Sequence, residues 1–230
     1  MAAARRTTRD LHEACVEEAR RIIGEHGVEG LSLREVARRL GVSHQAPYKH
    51  YPSRDHLLAE VVARAYAAFA IHLDARPHHD DPDADLRAMG EAYVGYALTH
   101  PLEYRLMFGT PLPDPAAHPD MMRQAQHAFA ILRDAIARLD RSKAGDASPE
   151  LDAMYVWATV HGLASVLQAS AMSALHVSLE TIASTPAHVL MRIGTGLGQT
   201  PGPPDTAAGP TPPPAQARRR SLRGQSNVRR

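Results

Sequence analysis

Between Ser43 and His50 the chain reads SHQAPYKH, and the residues expected to face outward are His44, Gln45, Tyr48, Lys49 and His50. They supply imidazoles, an amide, a phenol and an ammonium, with no carboxylate among them. Closely spaced donors without an acid suit a phosphate backbone and the edges of bases. Gln45 can pair with an adenine edge, and Lys49 with guanine or a phosphate. Upstream, Ser32-Leu33-Arg34-Glu35 is a capping box, in which the serine hydroxyl closes the helix start and the glutamate reaches back. Downstream, Ser53 caps a further helix that Arg54 opens. Helix starts concentrate free amides and positive dipole, which attract phosphate. Ser32 and Arg54 therefore join the DNA-facing set, with Arg34 on the outer face of its helix and Ser43 capping the segment itself.

Other chemistry finds little support. The chain has 14 histidines, and His78-His79-Asp80-Asp81 holds metal-ligating types. That run lies in a loop with no second ligand cluster at fixed spacing, so no metal is expected. His161 beside Gly162 on an apolar stretch reads as a hydrogen-bonded core histidine. HExxH, GxSxG and P-loop glycine patterns are absent, so neither an enzyme nor a bound cofactor is expected.

The elements that position Ser43–His50 are helical. Thr8 caps a first helix to about His26, with Leu11, Cys15, Ala19, Ile22 and Ile23 as its stripe. Ser32 to Leu40 is a second, with Val36, Ala37 and Leu40 on one face. Gly41 sits where a helix ends left-handed. Ser43 begins a third, closed by Tyr51-Pro52. Two short helices around a glycine turn make a helix-turn-helix pair. Ser53 then caps a fourth helix to about His72. A fifth spans Leu86 to Thr99, a short sixth Leu102 to Phe108, and a seventh about Asp120 to Asp140.

An eighth helix starts at Pro149 and is expected to reach about Leu175; a ninth covers about Leu179–Thr195. From Ala153 to Leu179 no residue is charged. That is long enough for a bilayer, but Thr159, His161, Gln168 and several serines interrupt it and no basic cluster flanks it. A helix apolar all round is better placed inside a bundle or a subunit interface. Two sequential helices with spare apolar surface can pair with the same two of a second copy, making a twofold four-helix interface. Beyond residue 196 the composition turns Gly/Pro/Ala-rich and then Arg-rich, as in disordered segments. The expected organisation is thus a DNA-binding domain over residues 1–55, a helical ligand-binding and dimerisation domain over 56–196, and a tail over 197–230. The fold class is all-α, with about nine helices.

Composition sets limits. The 230 residues are 44% hydrophobic, enough for a substantial core. The single cysteine, Cys15, excludes an intrachain disulfide and fits a reducing compartment. MAAARRTTRD is basic without an apolar run, so no secretory leader is expected, and the protein is read as cytoplasmic. The formal charge is +1, of which residues 201–230 carry +5, leaving −4 on residues 1–200. Global charge therefore argues nothing for DNA, and the local donors must carry that case.

The run LSLREVARRLGVSHQAPYKHY, followed by PSRDHLL, resembles the DNA-binding domain of TetR-type transcriptional regulators over roughly residues 10–65. Tyr51 stands where phenylalanine is usual and Arg54 where lysine is usual. Further on, Trp157-Ala-Thr-Val-His161-Gly162, with His100-Pro101 and Tyr104 to Phe108, resembles the tryptophan–histidine–glycine class of TetR-type C-terminal domains. The resemblance implies a homodimer in which each subunit reads half of a palindromic operator in double-stranded DNA. A small-molecule effector in the C-terminal domain then changes the head spacing and releases DNA. It also implies that Tyr48 and His50 reach phosphates or bases, and that Ser43, His44, Gln45 and Lys49 hold base-facing and flanking positions. Arg5, Arg6 and Arg9 form a basic arm for the neighbouring groove.

For the effector, Tyr93, Tyr96, Met107, Phe108, Phe129, Tyr155, Trp157 and His161, with Met121 and Met122, are expected around one cavity. Few charges lie among them, so the ligand is expected to be largely apolar. The alternatives are a ligand-independent architectural DNA-binding dimer and, less supported, an enzyme on a helical bundle.

Overall fold

The computed structural model describes residues 8–109, 111–139, 148–169 and 176–198, with side chains from Leu11 onward. Among the described residues there are eight α-helices and no strand: α1 (Thr8–His26), α2 (Leu33–Leu40), α3 (Arg54–Asp74), α4 (Pro82–Thr99), α5 (Pro101–Phe108), α6 (Pro119–Ala137), α7 (Pro149–Gln168) and α8 (Leu179–Leu197). Four of them begin on proline, whose missing N–H costs nothing at a position that has no intrahelical acceptor.

α1 buries Cys15, Val16, Ala19, Ile22 and Ile23 against α2 and α3. Gly27, at φ 74°, turns the chain out of it. Ser32 caps α2, its hydroxyl accepting the Glu35 N–H at 3.1 Å. The other half of the expected capping box does not form. The Glu35 carboxylate turns forward to Arg38 (2.8 and 2.6 Å) and Arg39 (2.9 Å). Two charge-assisted guanidinium contacts outcompete one backbone amide. Hydrogen bonds from Arg38 and then Arg39 hold the Glu35 carboxyl down at about 2. α2 ends as expected: Gly41 is left-handed (φ 65°, ψ 30°), and the Gly41 and Val42 amides donate to Arg38 and Ala37 carbonyls at 3.2 and 3.1 Å, a Schellman motif.

The third helix expected from Ser43 is not a regular α-helix. The segment runs as successive turns into a single 3-10 turn at Pro47–Lys49. The Ala46, Lys49 and His50 amides donate three residues back, to Ser43, Ala46 and Pro47. Pro47 is the cause: its N–H would have closed the first α-turn onto the Ser43 carbonyl, and it has none. The expected count of nine helices becomes eight α-helices among the described residues for this reason.

α3 is the spine. It packs on α1, α5 and α6, most extensively on α6, whose start meets the first turn of α3 where His118 lies edge-on to His56 at 4.9 Å. It is the described helix whose length and apolar content would suit a bilayer, yet Leu57, Leu58, Val61, Val62, Tyr66, Phe69 and Leu73 form the middle of the core. α4 packs on α7 and α8, and α7 on α6 and α8. Gly90 lets α4 approach α8 closely: a Cβ there would press on the end of the Leu190 side chain, which would have to shift. Asp85 is fully buried. It accepts from Arg76 at 2.8 Å, from the His79 N–H at 3.2 Å and from Arg138, joining the α3–α4 turn to the end of α6. Residues 170–175, where α7 was expected to continue, and the tail from residue 199 lie outside the described residues.

Candidate functional site

The DNA-facing candidates are presented from a rigid base. Pro47 and Tyr51 are buried, while Ser43, His44, Gln45, Tyr48 and Lys49 are exposed. Tyr48 leaves 49% of its surface to solvent, unusual for a tyrosine beside a packed core. The chain thus alternates anchors and readers along the turn. Tyr51 stacks on His12 of α1 (5.0 Å, 26°), and burial pushes its hydroxyl pKa up. His50 is half-buried, edge-on to His12 at 5.8 Å, and so is shared between α1 and the surface. Burial, then His12 and Lys49, lower its pKa, which favours the neutral ring.

Ser32 is exposed, but its hydroxyl is occupied by the α2 cap. Arg34 is exposed on the first turn of α2. Arg54 has a structural partner set that the sequence did not suggest. Its guanidinium donates to the Val28 and Leu31 carbonyls at 2.7 and 3.0 Å, with Asp55 at 3.2 Å. Arg5 and Arg6, and the Arg9 side chain, lie outside the described residues.

A second candidate site is a cavity of about 730 Å³ between α3, α4, α6, α7 and α8. That is within the roughly 300–1,000 Å³ of small-molecule pockets. Tyr93, Phe108, Phe129 and Trp157, with Met122, line it as expected. Trp157 packs against Phe108 and Phe129 at 6.2 and 6.0 Å. The other expected lining residues are placed elsewhere. Tyr96 and Met107 are buried in the core, Tyr96 stacked on His100 at 4.4 Å. Met121 is likewise core. Tyr155 is 45% exposed on the outer face of α7. His161 lines a separate, smaller cleft with Tyr104 and Gln168. The reason is geometric: an inward-facing helix position can meet packed neighbours or the void, and periodicity does not distinguish them.

Sequence reasoning missed Tyr66, Phe69 and Leu73, which give the cavity its α3 wall. Their i, i+3, i+7 spacing was visible but continued the core stripe of α3. It also missed Tyr104. The Tyr104 hydroxyl lies 2.6 Å from His161 Nδ1, and Tyr93 approaches both, at 3.4 and 3.3 Å. Burial lowers the His161 pKa and raises those of Tyr93 and Tyr104, so all three stay uncharged at neutral pH. The charged lining among the described residues is Asp83, Arg87 and Asp152. Among the described residues, no three His, Cys, Asp or Glu side chains converge as a metal site; His78 turns to the Asp74 carbonyl at 3.1 Å.

Residues 16–61 match a family model described as bacterial regulatory proteins, tetR family, and residues 86–187 match one described as tetracyclin repressor-like, C-terminal domain. The HTH-type transcriptional regulators Rv1816 of Mycobacterium tuberculosis and Mb1846 of Mycobacterium bovis are each 38% identical over 120 residues, 50% of this chain and 51% of theirs. The chain thus spans about half the length of the curated relatives it matches. Among solved structures it is similar to a protein of unknown function from Rhodococcus sp. RHA1, with TM-score 0.68 and 24% identity over 82% of this chain and 96% of that one. It is also similar to the TetR family transcriptional regulator PfmR from Thermus thermophilus, with TM-score 0.57 and 20% identity over 77% and 97%. At such identities the likeness is one of fold.

Proposed function

The chain belongs to the TetR family of bacterial regulatory proteins, and we propose that it is a DNA-binding transcriptional repressor that grips a palindromic operator as a homodimer and is released by a small, largely apolar effector. The observation that carries this reading is the Ser43–Lys49 surface. Tyr48, Lys49, His44 and Gln45 are exposed together on a segment whose other side, Pro47 and Tyr51, is locked into the core. Donors held that way lose little freedom on meeting DNA. Residues 1–55 are the reader in this proposal and residues 56–196 the sensor.

A dimer is supported by exposed apolar side chains along α7 and α8: Leu151, Tyr155, Val166 and Leu179. Two heads must then sit roughly 34–36 Å apart to enter successive major grooves. Effector control is supported by the cavity and by α3. Tyr66, Phe69 and Leu73 touch the cavity, while Arg54, at the other end of the same helix, is bonded to the turn before α2. A ligand that tilts α3 therefore moves the reader. Release requires a coupling of only ~1–3 kcal/mol between the sites.

Selection of bound DNA from a random pool by the full chain tests the proposal. A recovered palindrome, with half-sites about one helical turn apart, is expected. Sequence-indifferent recovery would instead support an architectural role.

A further inference from the structure

The large cavity has two unlike ends, each fixed by side-chain bonds. At one, Asp85 in the first turns of α4 accepts from Arg76, just past α3, at 2.8 Å and from Arg138, the residue that ends α6. The start of α4 and the ends of α3 and α6 therefore meet there. Leu86 and Leu139, next to two of the bonded residues, line the cavity, and so does Leu73, whose carbonyl accepts from Arg76 at 2.8 Å. At the other end, Tyr93 of α4 and Tyr104 of α5 converge on His161 of α7, at 3.3 and 2.6 Å. On α4 the lining runs from Asp83 to Tyr93, and on α7 from Asp152 to Val160. At the helical rise per residue those spans are about 15 and about 12 Å.

Polarity changes along that length. The charged lining among the described residues falls within the first two turns of α4, at Asp83 and Arg87, and the first turn of α7, at Asp152. Asp83 and Arg87 are exposed, so this end meets water. Toward His161 the wall is aromatic. Tyr66 and Phe69 lie against Phe108 and Tyr93 at 5.8 and 5.2 Å, and Trp157 lies between Phe108 and His161 at 6.2 and 6.1 Å. The hydroxyls there already have partners: Tyr66 donates to the Met107 carbonyl at 2.9 Å, and Tyr93 is bonded to Tyr104 and His161. An ionised group sent to that end would lose its hydration and meet no counter-charge, whereas a hydrocarbon chain gives up nothing.

We propose that the effector is a single-chain amphiphile, its hydrocarbon tail laid toward Tyr93 and Trp157 and its polar head kept in water between Asp83, Arg87 and Asp152. The two helical spans admit an extended tail of about ten to twelve carbons. Both signs of charge stand at the wet end, so heads of different kinds are tolerated there and the tail supplies the affinity. This rests on the cavity being the effector site.

Trp157 is the chain's one tryptophan and lies toward the tail end of the cavity wall. Bromine quenches tryptophan only at near contact, so its place on a chain reports which way the chain lies. The probes are ω-bromododecanoate and α-bromododecanoate, titrated into the full-length protein below their micelle thresholds. The two are expected to bind alike, with the terminal bromine quenching Trp157 several times more at saturation. Dodecanedioate, ionised at both ends, is expected to displace the ω-bromo chain about a hundredfold less well than dodecanoate, because one carboxylate must enter the aromatic end. Dodecyl maltoside, whose bulky head stays outside, is expected to displace it as well as dodecanoate does. Equal quenching by the two bromo chains, stronger quenching by the α-bromo chain, dodecanedioate as good as dodecanoate, exclusion of the maltoside, or quenching by neither chain would each overturn the proposal. The series uses the wild-type protein and needs no variant to fold. Operator binding is measured separately on the same protein by gel shift. Failure of the chain probes with operator binding intact removes the ligand class and leaves the regulator standing; absence of operator binding removes the regulator itself.

Discussion

The guanidinium of Arg54, the first residue of α3, donates to the Val28 carbonyl at 2.7 Å, and its Nε donates to the Leu31 carbonyl at 3.0 Å. The helix that reaches the cavity is thereby fastened to the turn that precedes α2. Arg54 is a positioning residue on this geometry, and that can be separated from a phosphate contact. Arg54→Ala is expected to cost ~1–3 kcal/mol in urea unfolding, because two carbonyls lose their donor. Operator affinity should fall with the salt slope unchanged. A slope reduced by about one would put Arg54 on a phosphate instead.

Tyr48 and Lys49 make the opposite case. Both are exposed and neither supports the core, so their removal should leave stability within the scatter of surface substitutions, roughly 0.5 kcal/mol. Lys49→Ala is expected to lower the salt slope of operator binding by about one. Tyr48→Ala is expected to weaken operator binding at least about tenfold at constant salt, the low end for a lost base or backbone contact. Unaltered affinity in both variants, measured by fluorescence anisotropy, would remove this surface from the operator.

Asp85 predicts an acid limit to stability. Burial alone would raise its pKa, but the His79 amide, Arg76 and Arg138 outweigh burial and hold the carboxyl below the ordinary value. Its folded pKa is depressed, so its stabilisation is present above the unfolded value of about 3.9 and is lost as pH falls through the folded one. Asp85→Asn leaves the buried Arg76 guanidinium without its counter-charge and should cost ~3–5 kcal/mol at pH 7. The wild-type minus variant difference should shrink as pH drops below about 4. Thermal melts across that range check both the size and the sign.

Val166, on the outer face of α7, is 51% exposed in the single chain. If α7 and α8 pair with their copies, Val166→Glu places two like charges near the twofold and should shift sedimentation from dimer to monomer. Helicity should be retained, since the side chain lies outside the core. Specific operator binding should go with the dimer, because one head lacks its partner half-site. A variant that remains dimeric would move the interface off this face.

Much of the reader was legible because its signals are local. Ser32 and Gly41 act on amides within five residues of themselves, and both caps formed as their residue types require. The capping box half-failed for an equally local reason, Arg38 and Arg39 competing for Glu35, and that competition was readable in the same eight residues. So was the 3-10 turn: Pro47 stood in plain view, and its missing N–H outweighed the pattern around it. The partners of Arg54 and Asp85 were not legible. Val28 is 26 residues from Arg54 and Arg138 is 53 from Asp85, distances over which no periodicity speaks.

Residue order alone was enough to make this protein helical, to set a donor-rich, acid-free segment after a glycine turn, and to give α7 and α8 more apolar surface than one chain covers. Each of these follows from short-range physics: hydrogen-bond closure, proline and glycine geometry, and the period of the apolar residues. Which inward residues see the cavity, and which see each other, depended on the packed helices. Tyr93 faces the void while Tyr96, three residues on, is packed against Phe69 and His100. Three residues apart, the two side chains leave α4 in directions about 60° apart, and which direction meets packed neighbours is decided by how α3, α7 and α8 pack around α4, a sum over many side chains at once.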